Sequence, residues 1–242
     1  MVLGALLLAG VSCSKSELKV SERETSLDVN YFTYSRYLLT TAIVGVAQQY
    51  GKGVTEEAKG EATLYFMDCY NGGSQVSALY GTRAQDWGYE DSNPYTNQLR
   101  YLASVKTMAT KEDNMANVAA ADILKCVVGG YLTEKYGDVP FSEANLGRDG
   151  NMFPKFDTQK EVYEQMFVLL DNAVSILSDA GSKGLPSNHD VLFSGDRQKW
   201  IKFANSLKFR LMVHSYEAFK KAGKDLSGEM QAIAGGNNYM CR

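Results

Sequence analysis

The segment from Trp200 to Tyr216 constrains the fold of this chain more than any other stretch of its sequence. Its apolar residues recur at steps of three and four, the period of one buried helix face; they are Trp200, Phe203, Ala204, Leu207 and Leu211. The basic residues lie off this stripe, at Lys199, Lys202, Lys208 and Arg210. Gly195 and Asp196 precede the segment, where a turn and a carboxylate suit the free N–H groups of a helix start. The pattern predicts a long amphipathic helix that ends near Gly223, in an all-α domain.

Other segments of the chain also carry helix signals and indicate the same fold class. We predict helices over 31–50, 56–70, 97–110, 114–136, 159–178 and 226–234. No segment shows the alternation of apolar and polar residues that is typical of a half-buried strand. Helices of this length that are joined by short turns predict an all-α fold of stacked helical hairpins, although the sequence shows no fixed repeat period.

Local signals predict where several of these helices begin and end. Gly51 and Gly53 are expected to end the first helix. Asn114 suits an N-cap, and Gly137 suits a left-handed residue after the C-terminus of the same helix. The residues from Thr158 to Glu161 form a capping box at the start of the helix over 159–178.

The N-terminus has the composition of a secretion signal. An apolar run over 2–11 is too short to span a bilayer but suits a signal peptide, and small residues follow it up to Cys13. Residues 10–13 therefore predict a bacterial lipoprotein signal over 1–13 in which Cys13 is lipidated, a polar tether over 14–30, and a helical domain over 31–242. The alternative is an apolar N-terminus that arises by chance.

Charge and cysteine content exclude several classes of function. A formal net charge of −3 favours neither nucleic acid nor an anionic membrane surface as a partner. The sequence has no CxxC motif, and its two histidines, His189 and His214, have no spaced carboxylate partner, so we expect neither a metal nor a cofactor. Cys126 lies in an apolar helical segment and is predicted to be a core residue.

Three separate motifs connect the chain to a known family. The motifs are Gly-Asp-x-x-x-Trp-x-Lys-Phe-Ala-Asn-Ser-Leu-x-x-Arg-Leu over 195–211, Tyr-Gly-Asp-Val-Pro-Phe-x-Glu-Ala over 136–144, and Pro-x-Phe-Asp-x-Gln-x-x-Val-Tyr over 154–163. In their order along the chain, 136–144, 154–163 and 195–211, they resemble the SusD/RagB family of outer-membrane nutrient-binding lipoproteins. The resemblance implies tetratricopeptide-like helical hairpins that carry irregular loops. It also implies that the chain is an N-terminal portion, incomplete at its C-terminus.

The irregular stretch over 80–97 is the candidate ligand-binding loop. Trp87, Tyr89 and Tyr95 lie there among polar residues that include Asn93. Aromatic rings pack on the apolar faces of sugars, and an amide bonds their hydroxyl groups, so these residue types suit a neutral oligosaccharide. The alternative is that the aromatic rings only pack the loop against the helices.

A carboxylate pair at Asp138 and Glu143 suggests a glycosidase only weakly, because a turn aspartate that bonds its own backbone accounts for Asp138. We therefore expect a binding protein and no enzyme. The resemblance implies lipid anchoring at the bacterial outer membrane, capture of an oligosaccharide or less readily a peptide, and transfer to a SusC-like TonB-dependent transporter. The alternative is a helical-repeat scaffold that binds only protein partners.

Overall fold

The computed structural model describes residues 34–55, 94–179, 181–236 and 239. Within these ranges the chain forms six α-helices and no strand of a sheet, which confirms the all-α prediction. The helices are α1 (Ser35–Thr55), α2 (Gln98–Lys111), α3 (Met115–Tyr136), α4 (Gln159–Ser178), α5 (Arg197–Lys221) and α6 (Ser227–Gly235). The helix predicted over 56–70 lies outside the described residues.

The helices pack in chain order. Each of α1 to α5 contacts the helix that follows it, and α3 also contacts both α1 and α5. This pattern places α1, α3 and α5 side by side, with α2 and α4 packed behind them, as in stacked helical hairpins. The predicted helical-hairpin architecture is therefore confirmed for the part of the chain that the structure describes.

Helix α3 is the centre of the core. It is long and apolar enough to cross a membrane, but 83% of its most apolar window is buried inside the protein, as in the core helix of a globular fold. Cys126 is fully buried on this helix, which confirms its predicted core position. Gly129 leaves room for the ring of Phe141, because a Cβ atom at this position would overlap that ring.

Most predicted helix ends are confirmed, because they depend on contacts within one turn. The Asn114 side chain accepts from the N–H of Asn117, and the capping box of Thr158 and Glu161 is complete. The Asp196 carboxylate accepts from the N–H groups of Gln198 and Lys199 (2.9 and 3.1 Å) at the start of α5.

Two predicted ends are wrong. Helix α1 continues through Gly51 and Gly53 to Thr55, because a glycine inside a helix costs only about 1 kcal/mol relative to alanine and does not by itself end it. Gly137 has the expected positive φ of 76°, but its ψ of −116° lies outside the left-handed helical region. That conformation is the mirror image of an extended one and is open to glycine alone.

The predicted stripe of α5 is largely buried. Trp200, Ala204, Leu207 and Leu211 are between 0% and 6% exposed, whereas Phe203 is only half-buried. Lys208, expected on the polar side, is also buried, and its ammonium group bonds Asp171 (2.6 Å) and Glu229 (3.1 Å). The prediction failed there because both carboxylates are distant in sequence.

Candidate functional site

Most of the predicted binding residues cannot be placed. Trp87, Tyr89 and Asn93 lie outside the described residues, and so does the predicted lipidation site Cys13. Tyr95 alone among them is described, in the turn that leads into α2. The structure therefore locates the C-terminal end of the predicted ligand-binding loop.

Tyr95 is fixed by two hydrogen bonds to a distant segment. Its hydroxyl group donates to the carbonyl oxygen of Pro140 (2.9 Å), and its own carbonyl oxygen accepts from the side-chain amide of Asn145 (2.7 Å). Burial, and then the negative charge of Asp157, raises the pKa of Tyr95 to about 12. The phenol is therefore protonated at neutral pH, and the end of the predicted loop is attached to the chain between α3 and α4.

We call residues 137–158, which join α3 to α4, the connecting loop. Its C-terminal end is held by Asp157, a fully buried residue that accepts from the N–H of Phe141 (3.0 Å) and from both the N–H and the hydroxyl group of Ser142 (2.7 and 2.8 Å). The backbones of Val139 and Asp157 also pair as an isolated antiparallel bridge. These contacts close the loop at its base.

The hydrogen bonds also determine the charge state of Asp157. Burial alone would raise its pKa, but the bonds from Ser142 and Phe141 outweigh burial and hold the pKa below its ordinary value. Lys155 adds an ion pair at 3.3 Å. Asp157 is therefore a charged residue at the base of the loop at neutral pH.

A second carboxylate orders the middle of the connecting loop. Glu143 accepts from the N–H of Lys155 (3.1 Å) and from the side-chain amide of Asn151 (2.9 Å), and these bonds lower its pKa. The amide oxygen of Asn151 in turn accepts from the N–H of Phe153 (3.1 Å). Glu143 is thus occupied by structural hydrogen bonds.

The partner predicted for Asp138 is wrong. Its carboxylate accepts from the N–H of Gln159 (2.8 Å), the first residue of α4, and not from its own turn. A helix start offers free N–H groups, and an aspartate there is favourably placed against the helix dipole. Asp138 and Glu143 both serve the local backbone, which is the structural role that the sequence favoured over a glycosidase pair.

The connecting loop exposes apolar side chains to solvent. Phe153 is 93% exposed, Met152 70% and Phe156 67%, and Leu146 is also exposed. Large apolar side chains that are exposed within one short segment suit an interaction surface. Their exposure was not predicted from the sequence. The available signal was aromatic residues in a stretch rich in glycine, without helical periodicity.

A buried corner precedes α5 and leads into the motif over 195–211. Asp190 is 1% exposed. Its carboxylate accepts from the indole N–H of Trp200 (2.7 Å). It also accepts from three backbone N–H groups, those of Leu192, Phe193 and Gly195 (3.0, 3.1 and 2.9 Å). The core position predicted for Trp200 is confirmed. The role of Asp190 was not predicted from the sequence, because the four donors come together only in the folded corner.

An apolar groove of about 380 Å³ runs along the face that α1, α3 and α5 share. Ile43, Leu124, Val127 and Phe203 are among its lining residues. This groove accounts for the half-buried state of Phe203, which lies at its surface.

The histidines serve different local contacts. The ring of His189 packs edge-on against Tyr37 with ring centres 5.1 Å apart, and Nδ1 of His214 lies 3.0 Å from a carboxylate oxygen of Glu134. Among the residues that the structure describes, no group of three histidine, cysteine, aspartate or glutamate side chains is placed to hold a metal ion.

Solved structures with a similar fold are SusD homologues from Bacteroides species. A homologue from Bacteroides fragilis is 24% identical with a TM-score of 0.51, over 61% of this chain and 30% of that one, and shares the fold. One from Bacteroides uniformis is 30% identical with a TM-score of 0.49, over 61% of this chain and 28% of that one. One from Bacteroides ovatus is 28% identical with a TM-score of 0.47, over 58% and 27%.

The chain thus spans less than a third of the length of these solved homologues. Among curated proteins, no sequence matches it. The SusD-like family described as starch-binding and associating with the outer membrane matches residues 28–240, which is most of the chain. The three motifs, the helical hairpins and this match agree, and the chain belongs to the SusD-like family.

Proposed function

We propose that this chain is part of an outer-membrane lipoprotein that binds a neutral oligosaccharide and passes it to a SusC-like TonB-dependent transporter. The observation that carries the proposal is the family match over residues 28–240, since that family is described as starch-binding and associating with the outer membrane. The proposed activity is binding without a covalent step. This agrees with the structural roles of Asp138 and Glu143, whose carboxylates bond nearby backbone.

In this proposal the loop over 80–97 supplies the ligand contacts. Trp87, Tyr89 and Tyr95 pack on sugar faces, and the amide of Asn93 bonds sugar hydroxyl groups. The hydrogen bonds of Tyr95 with Pro140 and Asn145 support a fixed end for this loop. A fixed end reduces the entropy that is lost when ligand binds.

Titration of the purified chain with oligosaccharides tests ligand capture. A panel of neutral glycans that includes maltooligosaccharides is measured by calorimetry, and we expect saturable binding to at least one. Trp87→Ala removes the largest stacking surface and should weaken binding about tenfold, since a stacked ring contributes about 0.5–1.5 kcal/mol beyond its buried area. Tyr34→Ala, which removes an aromatic ring 45% exposed on the described surface, is the matched control and should leave affinity unchanged.

The membrane part of the proposal rests on Cys13. Acylation there would attach the chain to the membrane through more than one acyl chain, which stable anchoring requires. Cys13→Ser should abolish labelling by radioactive palmitate and release the chain from the membrane fraction, whereas Cys69→Ser should change neither. Palmitate labelling that survives Cys13→Ser would contradict this assignment.

The second candidate is a scaffold that binds only protein partners. The exposed Met152, Phe153 and Phe156 of the connecting loop favour it, because they form an apolar surface without a cover among the described residues. Co-purification with a transporter barrel, combined with no affinity for any glycan in the panel, would support this candidate over ligand capture. Glycan binding that Trp87→Ala weakens about tenfold would exclude it as the whole function.

A further inference from the structure

A second cavity lies between α3, α4 and α5. Its volume is about 660 Å³, within the range of small-molecule sites. The last turns of α3 contribute Glu134, the first turns of α4 contribute Gln159 and Tyr163, and the second half of α5 contributes His214 and Phe219. Three helices therefore form a concave site from rigid elements, which hold side chains more closely than loops do.

Tyr163 is the feature of this cavity that indicates a ligand. The residue is only 6% exposed, but its hydroxyl group is not enclosed by the protein: it makes no hydrogen bond to a described residue and opens to the cavity. Its ring is held edge-on against Phe167, with ring centres 6.3 Å apart. A hydroxyl group that lines a cavity and makes no bond to the protein can bond a ligand atom there.

The hydroxyl group of Tyr163 acts as a donor. Burial, and then the negative charge of Glu134, raises the pKa of Tyr163 to about 12, while Arg210 opposes the shift. The phenol therefore keeps its proton throughout the physiological range. The ligand atom that it contacts must be able to accept a hydrogen bond.

Two acceptors in the cavity complement this donor. The Glu134 carboxylate is oriented by Arg210 (2.8 Å) and by Nδ1 of His214 (3.0 Å), one contact to each oxygen, so each oxygen keeps an unused lone pair. The side-chain amide of Gln159 donates to the carbonyl oxygen of Thr133 (2.8 Å). That bond orients the amide and leaves its oxygen without a partner among the described residues.

The charges around the cavity disfavour an ionic ligand. Glu134 is compensated by Arg210, and Lys160 at the rim lies 3.9 Å from Glu164. Neither a free cation nor a free anion would meet an uncompensated opposite charge. Part of the wall is apolar, at Ala218, Phe219 and Ala222.

We propose that the cavity between α3, α4 and α5 binds a neutral polyhydroxylated ligand of the size of a mono- or disaccharide. Adjacent hydroxyl groups donate and accept hydrogen bonds at once, which matches a phenol donor beside carboxylate and amide acceptors. An apolar wall suits the C–H face of such a ligand. The lining residues that the structure describes include none from the proposed ligand loop.

The test is a titration of the isotope-labelled whole chain with glucose, maltose, glucuronate and glucosamine, followed by amide chemical shifts. We expect glucose or maltose to shift the resonances of Gln159, Tyr163 and His214, and the two charged sugars to bind several-fold more weakly. Tyr163→Phe should weaken binding of the neutral sugar about fivefold. Equal or tighter binding of glucuronate or glucosamine would overturn the ligand class, and no shift with any of the four sugars would overturn the site.

Two control variants separate this site from folding and from the proposed ligand loop. Tyr163→Phe should leave the melting temperature unchanged or raise it, because the lost hydroxyl group has no partner, whereas Tyr95→Phe should lower it. A lower melting temperature for Tyr163→Phe would show a structural role and overturn the proposal. Trp87→Ala should leave the resonance shifts at Tyr163 intact, so failure of the ligand-loop proposal and failure of this one remain distinguishable.

Discussion

Two segments of this protein are each held by one buried aspartate, but aromatic side chains pack together in one segment and are exposed to solvent in the other. Asp190 holds the corner before α5, where Phe193 packs edge-on against the fully buried Trp200 with ring centres 5.3 Å apart. Asp157 closes the connecting loop, which leaves Phe153 93% exposed. A buried carboxylate thus orders a turn without deciding whether the turn becomes core or surface.

The elements that follow each turn account for the difference. At the corner, α5 begins directly after Asp196 and brings Trp200 and Phe203 onto Phe193. In the connecting loop only the first part is covered, where Phe141 enters the space that Gly129 leaves on α3. The comparison predicts large stability effects at the corner, smaller ones at the loop base, and almost none at the exposed rings.

The largest loss of stability is expected for Asp190→Ala. The substitution leaves three backbone N–H groups and the Trp200 indole N–H without their acceptor in a buried corner. We expect the free energy of unfolding to fall by about 3–5 kcal/mol, measured by urea denaturation. Asp149→Ala, at an exposed aspartate, is the matched control and should be nearly neutral. A loss below about 1 kcal/mol for Asp190→Ala would mean that water replaces the carboxylate.

Asp157→Asn should lower the free energy of unfolding by less, about 2–3 kcal/mol at neutral pH. The substitution weakens three hydrogen bonds and an ion pair with the largely exposed Lys155. The pKa of Asp157 is lowered from 3.8 in the folded state, so the stability it contributes is present above about pH 3.8 and is lost as the pH falls below that value. Urea denaturation between pH 7 and pH 3 should therefore show a smaller acid loss in the variant. If the variant lost as much stability between pH 7 and pH 3 as the unsubstituted chain, Asp157 would not be the source of this pH dependence.

The contacts that were predicted from the sequence join residues close together in the chain, whereas the contacts that were not predicted join residues far apart in it. The caps at Asn114 and Thr158 involve partners three residues away, so their residue types predict them. Asp190 and Trp200 are ten residues apart, and Lys208 and Asp171 are 37 apart. Such pairs depend on how helices pack, which periodicity alone does not determine.

The candidate site was harder to predict than the fold for the same reason. Phe141, Phe153 and Phe156 are one residue type within one loop, yet the first is 1% exposed and the others 93% and 67%. What separates them is the presence of α3 beneath Phe141, a property of tertiary structure. Likewise, Tyr163 lies in the helix predicted over 159–178, and only the folded structure shows that it lines a cavity.

Gly129→Ala tests how the covered end of the connecting loop is packed. The added Cβ would overlap the Phe141 ring, so α3 and the loop must separate slightly, and overpacking of this kind costs about 1–3 kcal/mol. Gly228→Ala in α6 meets no atom within 4 Å and is the control, expected to be neutral or slightly stabilising. Equal stability of the two variants, measured by thermal unfolding, would show that Phe141 moves without cost.

The smallest effect on stability is expected at the exposed rings. Phe153→Ser and Phe156→Ser, alone or together, should change the free energy of unfolding by less than about 0.5 kcal/mol, because exposed side chains away from buried contacts contribute little. The matched variant is Phe193→Ser, which removes an aromatic ring of the same type from the corner and should cost about 2–4 kcal/mol because of its contacts with Trp200 and Phe203. Urea denaturation of the three variants provides the comparison. If Phe153→Ser destabilised the chain as much as Phe193→Ser, the connecting loop would be part of the core and could not serve as an exposed interaction surface.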